Sequence, residues 1–241
     1  MSDWKAKRFW TQTDVRAEDG GFTVTLDGRP VRTPAKAPLV VPTRAFAAAI
    51  AAEWDAQEGA LRPETMPLTR CANSAIDKVS VQHGEVAELL AAYGETDLLC
   101  YRAEAPPVLV DRQTASWDPL LDWAAETLGA RLVPVAGVIP TAQDQAALAR
   151  LSALTHRFDS FALAAFHDLV SLTGSLILGF AAVRKFDSPE RIWALSRIDE
   201  TWQEEHWGAD EEAAEHAALK KRAFLDAVHV FSLLEDGAPR D

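Results

Sequence analysis

Cysteine is nearly absent: Cys71 and Cys100 are the only two in 241 residues and do not form a CxxC pair. Neither a disulfide framework nor a cysteine zinc site is indicated, and a reducing compartment fits that usage. The glycine signatures of nucleotide binding are missing too. There is no GxxxxGKS/T loop and no GxGxxG after a strand, and Gly174 and Gly179 lie in an apolar run where small residues serve close packing or a turn. Without a GxSxG elbow or an HExxH pair, elbow-serine hydrolysis and zincin chemistry have no sequence basis either. Basic residues are in deficit, with 24 Lys and Arg against 36 Asp and Glu and a formal charge of -12. Such a surface repels phosphate and anionic lipid, which argues against a nucleic-acid partner, and attracts basic patches.

Long hydrophobic runs are also lacking. The longest uncharged apolar stretch, LVSLTGSLILGFAAV at 169–183, is bounded by Asp168 and Arg184, and a spanning helix needs roughly 20 residues. It reads as a buried core helix, so no membrane insertion is expected. The amino terminus, MSDWKAKRFW, has neither an apolar signal core nor an Arg-rich, acid-poor transit pattern, which gives a cytoplasmic location as the expectation.

What is present is ordinary globular composition, 48% hydrophobic and 25% charged. The first forty residues read as strands. In GGFTVTLDGRP the apolar Phe22, Val24 and Leu26 alternate with Thr23 and Thr25, and Asp27-Gly28 is a hairpin turn signal. LVV at 39–41 is a further strand. Thr43 is an N-cap candidate for a helix with Phe46, Ile50 and Trp54 on one stripe, and LTRCANSAIDKV and EVAELLAAYG are shorter helices. TDLLCYRAE returns to a strand pattern. Beyond Pro106-Pro107 the sequence turns helical. Asp118-Pro119 reads as an N-cap and first-turn proline, Gly129 as a stop, Thr141 with Asp144 as a capping box, and Ser188-Pro189-Glu190 as the start of one helix ending at Gly208. Asp210 starts the last helix, and EDGAPRD is a loose tail. The fold class is therefore α+β: a strand-rich amino-terminal domain with short helices over 1–105 and a helical bundle over 106–241.

The stretch IDETWQEEHWG at 198–208 concentrates acids, tryptophans and a histidine. A di-iron bundle uses Glu-x-x-His, but Gln203 stands three before His206 and Ala213 three before His216, so no metal and no cofactor are expected. A carboxylate-dependent hydrolase needs only two acids a few ångströms apart, yet an acidic run is ordinarily solvated surface, and Glu211 and Glu212 suit a helix first turn. At 100° per residue, Leu195, Ile198 and Trp202 share a buried stripe, with Glu205 toward that side. Trp193, Glu200, Glu204 and Trp207 fall opposite, with Arg197 at the edge. Glu200 and Glu204 repel by roughly 0.2–0.5 kcal/mol at i, i+4, and an aromatic-acidic face suits a partner with apolar pockets and nearby basic groups. The alternative is that neighbouring helices cover the two indoles.

Taken together, KRFW, GGFTVTLDGRPVRTPAKAPLVVPT, AAEWDAQ, ETMPLTRCANSAIDKV, TDLLCYRAE, WDPLLDWA and SRIDETWQEEHWG resemble the assembly chaperones of the F-type ATP synthase that handle the alpha subunit of its catalytic head, over residues 5 to about 210. The resemblance implies a non-enzymatic, ATP-independent chaperone that binds free alpha subunit until beta subunit displaces it, cytoplasmic in bacteria and in the mitochondrial matrix of eukaryotic relatives. It implies a functional acid in the block ending Trp-Gly, which matches Glu200 first and Glu205 second. Within PLTRCANSAIDK, Arg70, Asn73 and Asp77 either meet the client or tie the two parts together, the tie being favoured. Cys71 stands where the family leads one to expect an aliphatic residue. The competing functions are the hydrolase and an acidic adaptor for another basic protein.

Overall fold

A computed structural model describes residues 7–137, 141–208 and 210–235. The α+β expectation holds. Strands come first: β1 (Thr13–Glu18), β2 (Gly21–Leu26), β3 (Arg29–Pro30) and β4 (Val40–Val41). β1 pairs antiparallel with all of β2, from Thr13 opposite Leu26 to Glu18 opposite Gly21, while β3 and β4 pair with the two ends of β2. The predicted Asp27-Gly28 turn forms, with φ of 48° and 79°, the doubly positive geometry that follows the twist of a tight hairpin. Asp27 also accepts hydrogen bonds from the Thr11 and Gln12 amides at 3.0 and 2.9 Å, and these hold its carboxyl below the usual range. Gly21 has no room for a side chain, because a Cβ would collide with the Val41 carbonyl oxygen.

α1 (Arg44–Asp55) begins where its cap predicts: Thr43 Oγ1 accepts from Phe46 N at 3.1 Å and donates to Leu233 O at 2.7 Å. Phe46, Ala47, Ile50 and Ala51 are buried. Two residues from its end, Glu53 reaches α2 (Pro67–Ser74), where its carboxylate accepts from Leu68 N (2.7 Å), Thr69 N (2.8 Å) and Thr69 Oγ1 (2.7 Å). Proline at the first position of α2 has no N–H to satisfy, so the glutamate serves the next two amides of the helix start. α2 runs on into a π-helical turn, Ala75–Val79.

The remaining elements are α3 (His83–Ala91), β5 (Tyr101–Arg102), α4 (Pro107–Trp123), β6 (Val135–Ala136), α5 (Gln145–Thr155), α6 (Ser160–Thr173), α7 (Leu176–Val183), α8 (Pro189–Leu195), α9 (Ile198–Trp207) and α10 (Glu211–Glu235). By contact density residues 7–82, 160–165 and 229–235 form one compact unit, and 83–137, 141–159, 166–208 and 210–228 another. The tail residues 236–241 lie outside the described residues.

Several boundaries differ from the sequence reading, each for a physical reason. α4 starts at Pro107, eleven residues before the expected Asp118 cap, and carries Pro119 inside it. The carbonyl deprived of a partner there belongs to Ala115, an exposed residue, where water can serve it. It leads into a π-helical turn that stops, as expected, at Gly129 with φ of 70°. Asp144 is itself the cap of α5, accepting from Ala147 N at 3.2 Å, in place of partnering Thr141. The apolar run is two helices, because Gly174 at φ 70° ends α6 and Ser175 caps α7. Asp97 supports that second start: its carboxylate accepts from Ser175 Oγ (2.7 Å), Ile177 N (3.0 Å) and Leu99 N (3.0 Å), and burial pushes its pKa up to about 6 despite those bonds. Gly179 lets α7 close on α6, since a Cβ would lie 2.8 Å from Val170 and 3.1 Å from Phe166. Among the described residues no helix is long and apolar enough to cross a membrane.

Candidate functional site

The helix expected from Ser188 to Gly208 is interrupted. Ser188 caps α8 through Arg191 N, but Ser196 turns its Oγ back onto Trp193 O at 2.7 Å and its amide onto Ile192 and Trp193 carbonyls. Arg197 then leaves helical geometry with φ of −118° and ψ of 20° before α9 begins. A buried residue of another helix fixes the break: Trp117 of α4, wholly buried, donates Nε1–H to Leu195 O at 2.8 Å. The carbonyl is thus satisfied without a continuing helix.

That interruption resets the faces. Trp193 lies in the core at 5% exposure with its ring 5.7 Å from Phe224, whereas the face projection placed it beside Trp207. Trp207 is 78% exposed. Trp202, expected in the core, is half-buried, and Glu205, expected toward the core side, is exposed. Glu200 and Glu204 do share a side of α9. Glu200 is held by Arg197 at 2.6 Å, which offsets the like-charge repulsion between the two, and Glu204 has no ion pair among the described residues.

α9 is fastened by side chains of α4 that sequence reasoning did not single out. Arg112 makes a two-point contact with Glu205, Nη1 to Oε1 at 3.1 Å and Nη2 to Oε2 at 2.8 Å. The hydrogen bond from Arg112 holds the Glu205 carboxyl below its ordinary range and raises the guanidinium in return. The same guanidinium lies 5.2 Å from the Trp202 ring, which stacks on His206 at 3.9 Å. Next to it on α4, buried Gln113 accepts from Ala103 N at 2.8 Å and donates to Asp199 Oδ1 at 2.6 Å. It ties the segment after β5 to the start of α9. The available signal for these residues was Pro106-Pro107, a helix start that brings Arg112, Gln113 and Trp117 onto α4.

Between these elements lies an open groove of about 930 Å³. Its walls are the 101–106 segment, the first turns of α4 with Val108, Leu109 and Gln113, Gly137, and the face of α9 carrying Asp199, Trp202, Gln203, His206 and Trp207. Val108 and Trp207 are 62% and 78% exposed. Arg102, on the floor, is committed inward: Nε donates to Leu99 O at 2.7 Å, and Nη2 approaches Asp118 Oδ1 at 2.8 Å, an ion pair without hydrogen-bond alignment.

Arg70 and Asp77 belong to the strand-rich unit. Arg70 is exposed on α2; Asp77 Oδ2 accepts from Ala35 N at 3.1 Å, tying the π-helical turn to the loop before β4. Among the described residues no cluster of three metal-ligating side chains occurs. Cys100 is buried and its thiol is pushed up to about 12 by desolvation and the Asp97 carboxylate, which makes it a poor nucleophile. The site offers apolar contact, carboxylates and a firm backing, all properties of a binding surface.

Comparison with known proteins is consistent across sequence and structure. A family model described as ATP12 chaperone protein matches residues 7–125. Protein atp12, mitochondrial, of Schizosaccharomyces pombe is 30% identical over 222 residues, spanning 87% of this chain and 76% of that protein. The crystal structure of Atp12 from Paracoccus denitrificans is 51% identical with a TM-score of 0.93, over 96% of this chain and all of that one. The Atu1473 protein of Agrobacterium tumefaciens is 44% identical with a TM-score of 0.91, over 95% and 86% of the respective chains.

Proposed function

The chain belongs to the ATP12 chaperone family, and from that premise we propose that it serves assembly of the ATP synthase catalytic head by binding free alpha subunit. An unassembled subunit exposes the apolar face that normally meets its neighbour, and such faces drive aggregation. The chaperone covers that face, without catalysis and without ATP. Beta subunit displaces it because the permanent interface is larger and more apolar. The cytoplasm is the proposed location.

One observation carries the binding reading: α9 leaves a 78% exposed tryptophan, Trp207, beside carboxylates of Glu200 and Glu204 while its other side is fastened to α4. A large aromatic held on a braced helix is the kind of anchor that dominates protein interfaces. In this reading Glu200, Glu204 and Trp207 meet the client. Glu205 and Trp193 act from behind, through Arg112 and Phe224. Asp77 shapes the strand-rich unit, and Arg70 is a second contact.

Light scattering tests the proposal. Equimolar chain is expected to suppress aggregation of purified alpha subunit, and Glu200→Lys to weaken that suppression while the circular dichroism melt stays nearly unchanged. Aggregation that proceeds unaltered in the presence of the chain sinks the reading.

A further inference from the structure

The groove between α4, α9 and the 101–106 segment is more than the α9 contact needs, and its chemistry selects an occupant. We propose that it seats a segment of the client polypeptide in which apolar side chains stand next to lysine or arginine; this rests on the chaperone reading.

The exposed rim argues for a macromolecule. Small-molecule sites enclose most of their ligand, whereas here Val108 and Trp207 stand on opposite walls at 62% and 78% exposure. They gain cover only from something that extends past the mouth. The charges argue for cations on that segment. Glu104 is exposed, its carboxyl lies over Gly137, and it has no ion-pair or hydrogen-bond partner among the described residues. Asp199 uses one carboxylate oxygen on Gln113. On the positive side, Arg102 is committed to Leu99 O and Asp118, and His206 Nδ1 is held at 2.8 Å by Trp202 O. The described lining residues therefore present acids and no uncommitted arginine or lysine.

An acidic segment would be repelled, and a purely apolar one would cover the carboxylates without replacing their water, which is costly. A lysine or arginine beside an apolar side chain answers both walls at once, and the exposed indole of Trp207 favours the same cations. The groove thus adds a selectivity for sequence on the client to the broad contact made by α9.

The test uses the full chain and two fluorescently labelled peptides, an alternating leucine–lysine peptide and its leucine–glutamate counterpart, followed by anisotropy. The leucine–lysine peptide is expected to bind and the other not. Glu104→Lys is expected to weaken binding about tenfold or more, Glu104→Gln less, and Glu58→Lys, an exposed acid of the strand-rich unit, by under about twofold. Equal binding of both peptides, no binding of either, or equal losses in Glu104→Lys and Glu58→Lys overturns the proposal, the last because it reports only attraction to net negative charge. If a Val108→Asp, Glu104→Lys double variant still suppresses alpha-subunit aggregation fully, the groove proposal falls and the chaperone reading stands. If the unaltered chain fails to suppress it, the reading falls and takes the groove's client with it.

Discussion

Trp117 and Trp207 show two opposite uses of an indole within one helical unit. Around Trp117 the polar groups are turned inward: its N–H goes to Leu195 O, the Arg102 guanidinium lies 5.2 Å from its ring, and none of its surface is exposed. Around Trp207 apolar surface and carboxylates are left over. The first region holds the elements in place, and the second uses that rigidity to present a surface. In the proposed function, that difference in burial separates the residues kept for folding from those that meet the client.

The largest expected effect comes from attacking the first region. Trp117→Ala removes a fully buried ring and orphans the Leu195 carbonyl, and is expected to cost roughly 3–5 kcal/mol in urea unfolding followed by circular dichroism. A loss under about 1 kcal/mol would erase the contrast between the two indoles. The next largest is a pH effect at Asp97. Its folded pKa of about 6 lies above the ordinary 3.8, so the folded chain holds that proton more tightly than the unfolded chain. The resulting stabilisation is complete below about pH 4 and is lost as pH rises through about 6, by up to roughly 3 kcal/mol. Urea midpoints across that window should fall with pH in the parent chain and change less in Asp97→Asn. The exposed pair has the opposite sign: Glu205 is held low by Arg112, so its small contribution is present at neutral pH and lost on acidification. The smallest stability effect belongs to Trp207→Ala, expected within about 0.5 kcal/mol of the parent yet weakening suppression of alpha-subunit aggregation. Unfolding by that variant would show that Trp207 is structural after all.

The parts of this arrangement legible in the sequence were those decided within a few residues. Asp27-Gly28, Thr43 and Asp210 act on their own neighbours, and each does what its chemistry predicts; Asp210 accepts from Ala213 N at 2.9 Å. The break between α8 and α9 was illegible because Trp117, 78 positions away, provides for the Leu195 carbonyl. Projecting 193–207 as one helix then gave Trp193 the wrong surroundings while leaving Glu200, Glu204 and Trp207 correctly outside. Reading Asp118-Pro119 as a start concealed α4, and with it Arg112 and Gln113. The family resemblance rested on long ordered blocks and did not depend on these local geometries.

Gln113 has a consequence of its own. It is one primary amide with its oxygen turned to a main-chain N–H on one wall and its nitrogen turned to an aspartate on the other. A glutamate offers no proton to Asp199, a lysine offers nothing to Ala103, and an asparagine is one carbon too short. A single uncharged side chain thus bridges the two walls, and its length matches the gap it spans, as a spacer matches the gap of a gauge.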